Sequence, residues 1–414
     1  MKSALRFLVA ARQCEIGELE QLQRTSALVD QLSRLIHALQ KERGLSNVYL
    51  ASAGMRGGPA RLAQMAECDR VAAIAREGFD RLDLQSGAPA HPGHGARLFS
   101  RIAQVLQCLD ALPVLRERIS SRDMAAEAAT AAFIDLVAGL LAVVFEAADS
   151  APEPGISRLL VALFNVMQGK EFAGQERATG VAAFACGSCD APRQQHWLHL
   201  IASQERCFQV FAEFAPPRSL ALWQESSGAD ATLAVIERLR RVGCTASPGT
   251  PLSTQMAEPW FDSCSLRMDA LHAVEARLTA ELQQQCEHRI ADARAALQTL
   301  VRTPCVPGTP PLALGDLPAP ATRLGPQLDR SVMDLVRDQS QRLQAMQAEL
   351  ETVRAALSER KLLERAKGLL MQRRQLSESE AHKLLRQTAM NQNRRLAEVA
   401  QAVLSMAELL APTP

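Results

Sequence analysis

Three helical stripes in this sequence run from apolar into cationic on one face. Leu32, Leu35 and Leu39 lead to Arg43 at the next inward position. Leu159, Leu163 and Val166 lead to Lys170, Ala173 and Arg177, and Leu233, Ile236 and Leu239 lead into Arg240 and Arg241. A guanidinium carried inward by such a stripe stays charged, and burying it alone costs on the order of several kcal/mol. It must pair with a carboxylate or meet an anion. Its planar fork of donors suits a small planar oxyanion. Glu42, Glu176 and Glu237 stand close by in the sequence and offer the alternative, structural pairing.

The second chemical feature is a basic segment. Residues 358–396 hold ten Lys and Arg against four Glu, a local charge of +6 in a chain whose net charge is +1. Such segregation marks an electrostatic footprint that whole-chain charge conceals. From 358 to the last residue there is no Phe, Trp or Tyr, so stacking of bases on aromatic rings is excluded as its mode of recognition. Arg, Lys and polar donors reading the shape of a nucleic acid remain.

Other chemistry is thin. Cys186-Gly-Ser-Cys189 with His196 and His199 has a shorter spacing than a zinc finger, and His199 opens an apolar helical face. These read as ordinary thiols and a helix residue, with no metal and no cofactor. No Ser/His/Asp set, phosphate-binding glycine loop or tight carboxylate pair is present, so no enzyme is expected.

The elements that position these groups are helices. Ala, Leu, Arg, Gln and Glu dominate the 414 residues, aromatics make up 4%, and Tyr49 is the only tyrosine. Such side chains lose little rotamer freedom in a helix. Further stripes run through Leu28 to Leu39, through Trp197, Ile201, Phe208 and Phe211, and through Leu271, Val274, Leu278 and Leu282. No period of two is sustained. Breakers at Gly57–Pro59, Ala88–Gly95, Pro152–Gly155 and Pro216-Pro217 cut roughly eight helices. The expected fold is all-α, with two stacked four-helix bundles over 14–301.

Pro304 to Pro326 carries seven of the 21 prolines, so 302–330 reads as a linker. Over 331–357, Val332, Val336, Gln339, Leu343, Met346, Leu350, Val353 and Leu357 keep four-three spacing, a short coiled coil with a homodimer as its natural product. Three helical pieces follow over 358–410, with a capping box at Ser377–Glu380. The longest strongly apolar run, Leu136 to Phe145, is ten residues, half the roughly 20 a membrane span needs. The expected location is the cytoplasm, with ten scattered, reduced cysteines.

Two resemblances lie in the motifs. The run ERKLLERAKGLLMQRRQLSESEAHKLLRQTAMNQNRRLAEVAQAVL closely resembles the ANTAR domain, an RNA-binding module of bacterial transcription antiterminators. LIHALQKERGLSNVYLASAG at Leu35–Gly54, LFNVMQGKEFAGQERATG at Leu163–Gly180 and IERLRRVGC at Ile236–Cys244 look like the NIT domain, a helical sensor of nitrate and nitrite. The resemblance implies nitrate or nitrite contact at Arg43, Arg177 and Arg240. For RNA it points to Lys361, Arg365, Lys367, Arg386 and Arg394, with Gly368 leaving bare backbone where a phosphate or base can approach. Together the two imply a one-component antiterminator that binds a leader-RNA hairpin when nitrate is sensed, so that nitrate-assimilation genes are transcribed. The competing reading is a helical interaction protein that binds RNA constitutively.

Overall fold

The computed structural model describes residues 2–82, 94–149, 154–228, 231–246 and 250–302. In the C-terminal segment it describes 363, 366–367, 369–371, 374, 376, 378–392 and 394–409. The expected linker (but for Arg302), the coiled coil, the Ser377 cap, Lys361, Arg365 and Gly368 lie outside the described residues.

Among the described residues every regular element is helical. The chain runs α1 (Lys2–Ala51), α2 (Gly58–Asp80), α3 (His94–Ser121), α4 (Ala126–Asp149), α5 (Pro154–Ala185) and α6 (Ala191–Phe214). Then come α7 (Pro217–Gly228), α8 (Ala231–Thr245), a 3-10 turn (Thr254–Met256), α9 (Ala257–Arg302), α10 (Glu378–Gln392) and α11 (Leu396–Leu409).

The expected breakers act locally. The N–H of Gly54 donates to the Tyr49 carbonyl at 2.8 Å and closes α1, with the Gly54 φ of 86° that a glycine adopts without strain. The Asp190 carboxylate accepts from the Arg193 N–H at 2.9 Å and starts α6.

In the first bundle α1 packs on α2 and α4, and α3 on α4. In the second, α5 packs on α6 and α9, with α8 on α6 and α9. The long helices α1 and α9 also pack on each other and tie the two together. Leu32, Leu35, Ile36 and Leu39 are 0% exposed, each contributing about 1.5–3 kcal/mol by burial. One apolar core fills α1–α5, the end of α6 and the middle of α9. A smaller one gathers Phe184, Trp197, Ile236, Leu239 and Trp260.

Two helical stretches, Arg97–Ser121 and Ala126–Glu146, are long and apolar enough to cross a membrane by length and composition. The sequence expects no such stretch. In the second of them, alanines extend the Leu136–Phe145 run into one continuous helix. In the fold α4 is a core helix, with Phe133, Val137, Leu140, Val143 and Val144 fully buried.

Candidate anion site and basic C-terminal surface

The two apolar cores are separated by a polar layer, and α5 shows why. Its residues Ile156 to Met167 enter the larger core and Ala183 and Phe184 the smaller one. Between them Lys170, Glu171, Glu176 and Arg177 are all buried. Charges at that depth survive only with partners.

Arg43, 1% exposed, makes a bidentate pair with Glu171, at 2.6 and 3.2 Å. Gln40 donates to the same carboxylate at 2.8 Å. Arg177, 3% exposed, makes no carboxylate bond among the described residues. Its Nη1 donates to Ser265 Oγ at 2.9 Å, its Nη2 to the Gln40 carbonyl at 2.8 Å, and it lies over the Phe261 ring at 5.0 Å. Burial, and then the charge of Arg43, pull Arg177 down to about 10. Of these two neighbouring guanidiniums only Arg43 is bonded to a carboxylate, so Arg177 is left without a directly bonded negative charge. The Arg43 Nε, buried, has no hydrogen-bond partner.

These two arginines border one cavity of about 10 Å³, with Gly44, Asn47, Gly174 and Phe261 also in its wall. The glycines make it possible: a Cβ at Gly44 would stand 2.5 Å from Arg177 Nη2, and one at Gly174 would collide with Arg43 Nη2. That volume holds about one water.

Arg240 stands in a neighbouring network. It is bidentate to Glu176 at 2.7 and 2.6 Å and also pairs with Glu237. Trp197 and Gln204 donate to the same Glu176 carboxylate at 2.9 and 2.6 Å. Burial pushes Glu176 upward, but the hydrogen bond and charge of Arg240 outweigh it and hold the carboxyl below its ordinary value. Structural pairing thus applies to Arg240. Arg43 pairs with Glu171 rather than Glu42, whose partner is Arg116 at 2.8 Å.

A third buried cluster adjoins the first. Lys170 pairs with Glu275, which also accepts from Ser33 at 3.1 Å. Beside it His37 and His272 stack at 3.9 Å between ring centroids, 8° from parallel. Sequence reasoning picked out Lys170 only as a step on a stripe and missed Glu171, Glu275, Gly44, Gly174 and Phe261. Interior helix glycines cost about 1 kcal/mol each, so Gly44 beside Arg43 and Gly174 three before Arg177 were the available signal.

In the C-terminal segment Ala366, Leu370, Ala381, Leu385, Val399 and Ala400 form a small core. Arg386 and Arg394 are exposed, whereas Lys367 is 6% exposed. Cys186 is exposed and Cys189 buried, and no group of three or more His, Cys, Asp or Glu among the described residues is placed to hold a metal.

The family model for NIT, nitrate and nitrite sensing, matches residues 34–283, and that for the ANTAR domain matches 351–404. The chain is 35% identical over 408 residues to the nitrate regulatory protein of Klebsiella oxytoca, covering 99% of this chain and 96% of that protein. The solved structure of the NasR transcription antiterminator is 32% identical, with a TM-score of 0.61, covering 98% of this chain and 100% of that one. With the polar layer between two apolar cores of the helical sensor region, the chain belongs to the family of nitrate-responsive antiterminators that join a NIT sensing domain to an ANTAR domain.

Proposed function

We propose that nitrate or nitrite is the anion that enters the cavity between Arg43 and Arg177, and that Arg240 belongs to the same responsive layer. The observation that carries this is a pair of neighbouring buried guanidiniums of which only Arg43 is bonded to a carboxylate, that of Glu171, while Arg177 has only Ser265 and a backbone carbonyl. An anion of charge −1 restores neutrality there, and the planar forks of two arginines match a planar oxyanion. Nitrate has four heavy atoms and the cavity holds about one water, so its walls must part on binding. A ligand that fits only the parted arrangement shifts the protein toward it. The next residue along α5 from Glu176 is Arg177, so movement of Arg177 is passed directly to the Arg240 network.

The output is RNA binding by the ANTAR domain over 358–410, with Lys361, Arg365, Lys367, Gly368, Arg386 and Arg394 meeting a leader-RNA hairpin. The sensor spans 14–301, joined through the linker and coiled coil. Lys367 is buried in this arrangement, which fits a domain held unproductively until nitrate is bound. In this reading the protein is a cytoplasmic homodimer and a regulator without catalytic activity or cofactor, and nitrate-assimilation genes are its targets.

Calorimetric titration with nitrate, nitrite, chloride and sulfate tests the sensor. Saturable nitrate or nitrite binding that Arg43→Ala and Arg177→Ala both abolish, in variants of unchanged helicity, is the expected result. Undiminished binding by either variant removes that arginine from the site. No binding by the folded wild type ends the sensing proposal.

A further inference from the structure

The wall of the cavity between Arg43 and Arg177 continues one turn along both helices, to Asn47 on α1 and to Ala178 and Val181 on α5, and is completed by Phe261 of α9. Glu171, bonded to Arg43, lies the other way along α5. Its carboxylate repels an entering anion and so drives it toward the Asn47 side. Among the described residues Asn47 is the one uncharged polar side chain in this wall.

Asn47 is 8% exposed. The hydroxyl of Thr130, on α4, donates to Asn47 Oδ1 at 3.0 Å. That bond anchors the acceptor of the amide on a neighbouring helix and leaves the N–H donors of Nδ2 as the polar group available to the cavity. It also fixes the plane of the amide, so its donors are held in place before a ligand arrives.

Two guanidiniums attract any monovalent anion and do not by themselves tell one from another. Shape does that. Nitrate is planar with three equivalent oxygens, nitrite has two, and chloride is a sphere. The buried Arg43 Nε has no protein partner, and Arg177 uses only part of its donor fork on Ser265 and the Gln40 carbonyl. The two forks can engage two oxygens of nitrate, and the third falls to the donor on the remaining side, Asn47 Nδ2. Nitrite presents no third oxygen there. A site built around a buried donor rejects the analogue that lacks the matching acceptor.

We propose that Asn47, oriented by Thr130, donates to the third oxygen of nitrate and makes this site favour nitrate over nitrite and chloride. The inference rests on the reading of the Arg43–Arg177 cavity as the anion site and adds the choice among anions to it. Asn47 touches the ligand, whereas Thr130 is a positioning residue that acts through Asn47.

Nitrate, nitrite and chloride are titrated by calorimetry into the full chain, as wild type, Asn47→Ala, Asn47→Asp, Thr130→Val and Thr130→Ser, with helicity checked for each. The wild type is expected to bind nitrate at least about tenfold tighter than nitrite, the worth of one hydrogen bond to a charged group. Asn47→Ala loses about that factor for nitrate and much less for nitrite, so the two affinities converge. Asn47→Asp, which sets a carboxylate in the same wall as Arg177, loses all three anions. Thr130→Val lowers the nitrate-to-nitrite ratio in the same sense, and Thr130→Ser, which keeps the hydroxyl, restores it.

Equal weakening of nitrate and nitrite in Asn47→Ala overturns the proposal, since Asn47 then only supports the wall. A wild type with no preference for nitrate overturns it too. Should Asn47→Ala fail to fold, Thr130→Val decides, and a wild-type ratio in that variant is the overturning result. Wild type that binds none of the anions ends the anion-site reading and this proposal together. Nitrate binding that needs Arg43 and Arg177, with a ratio indifferent to Asn47, sinks this proposal alone.

Discussion

The Nη2 of Arg177 lies 2.5 Å from the point where a side chain at Gly44 would begin. Two helices, α5 and α1, approach closely here because one of them carries no side chain. The same holds in reverse for Arg43 against Gly174. Each guanidinium is thus seated on a glycine of the facing helix, and the cavity exists between these two seats.

Gly44→Ala should therefore push Arg177 out of place. Alanine favours an interior helix by about 1 kcal/mol, but overpacking a filled interior costs about 1–3 kcal/mol. Its Cβ would also stand 3.3 Å from Phe261. The expected outcome is a lower melting temperature and at least about tenfold weaker nitrate binding. Thermal unfolding and calorimetry of the variant check both. A more stable protein with normal nitrate affinity would show that Arg177 has room to move.

Glu171→Gln leaves Arg43 and Arg177 buried with no carboxylate between them. Removing one partner of a buried pair costs about 3–5 kcal/mol. Nitrate should offset more of that loss in the variant than it adds to the wild type, because the site is then short of two negative charges. Melting curves with and without nitrate measure the difference. Equal nitrate shifts in the two proteins would place the anion elsewhere.

The histidine stack predicts an acid limit to stability. Burial lowers His37 from its ordinary 6.5 to about 4, against an opposing hydrogen bond to Asp269. The unfolded chain then binds more protons than the folded one between those values, so stability falls as pH falls through that window. The full effect is on the order of 3 kcal/mol. Asp269, held down to about 2 by its hydrogen bond to His37, and Glu275, brought to about 2 against its burial by Lys170, lose their contributions further into acid. Denaturant unfolding from pH 7 to pH 4 checks the first window, and His37→Gln should flatten it.

For the C-terminal surface, Arg386→Ala and Arg394→Ala should each weaken hairpin RNA binding across sequences and reduce the dependence of log affinity on log salt by about 1. Both side chains are exposed, so folding should be untouched. A salt series on each variant decides it. An unchanged slope would remove that residue from the phosphate contacts.

The sequence alone determined the class of the fold, most of its punctuation and the residues worth asking about. Leu28, Leu32, Leu35 and Leu39 are buried as their spacing requires, because a 3.6-residue period admits only one inward face. The same spacing carried Arg43, Arg177 and Arg240 inward. What it could not decide was which carboxylate each of them meets. Glu42 adjoins Arg43 in the chain, yet it turns to Arg116 of α3 and leaves Arg43 to Glu171 of α5. Neighbours in a helix point about 100° apart, so pairing at this depth is set by the facing helix. Glu237, one turn before Arg240 on α8, is a local partner, but only the packing of α5 against α8 brought Glu176 to Arg240 and left Arg177 without a bonded carboxylate. The shortfall of negative charge is a property of that tertiary layer, since it arises among residues separated by more than a hundred positions in the chain.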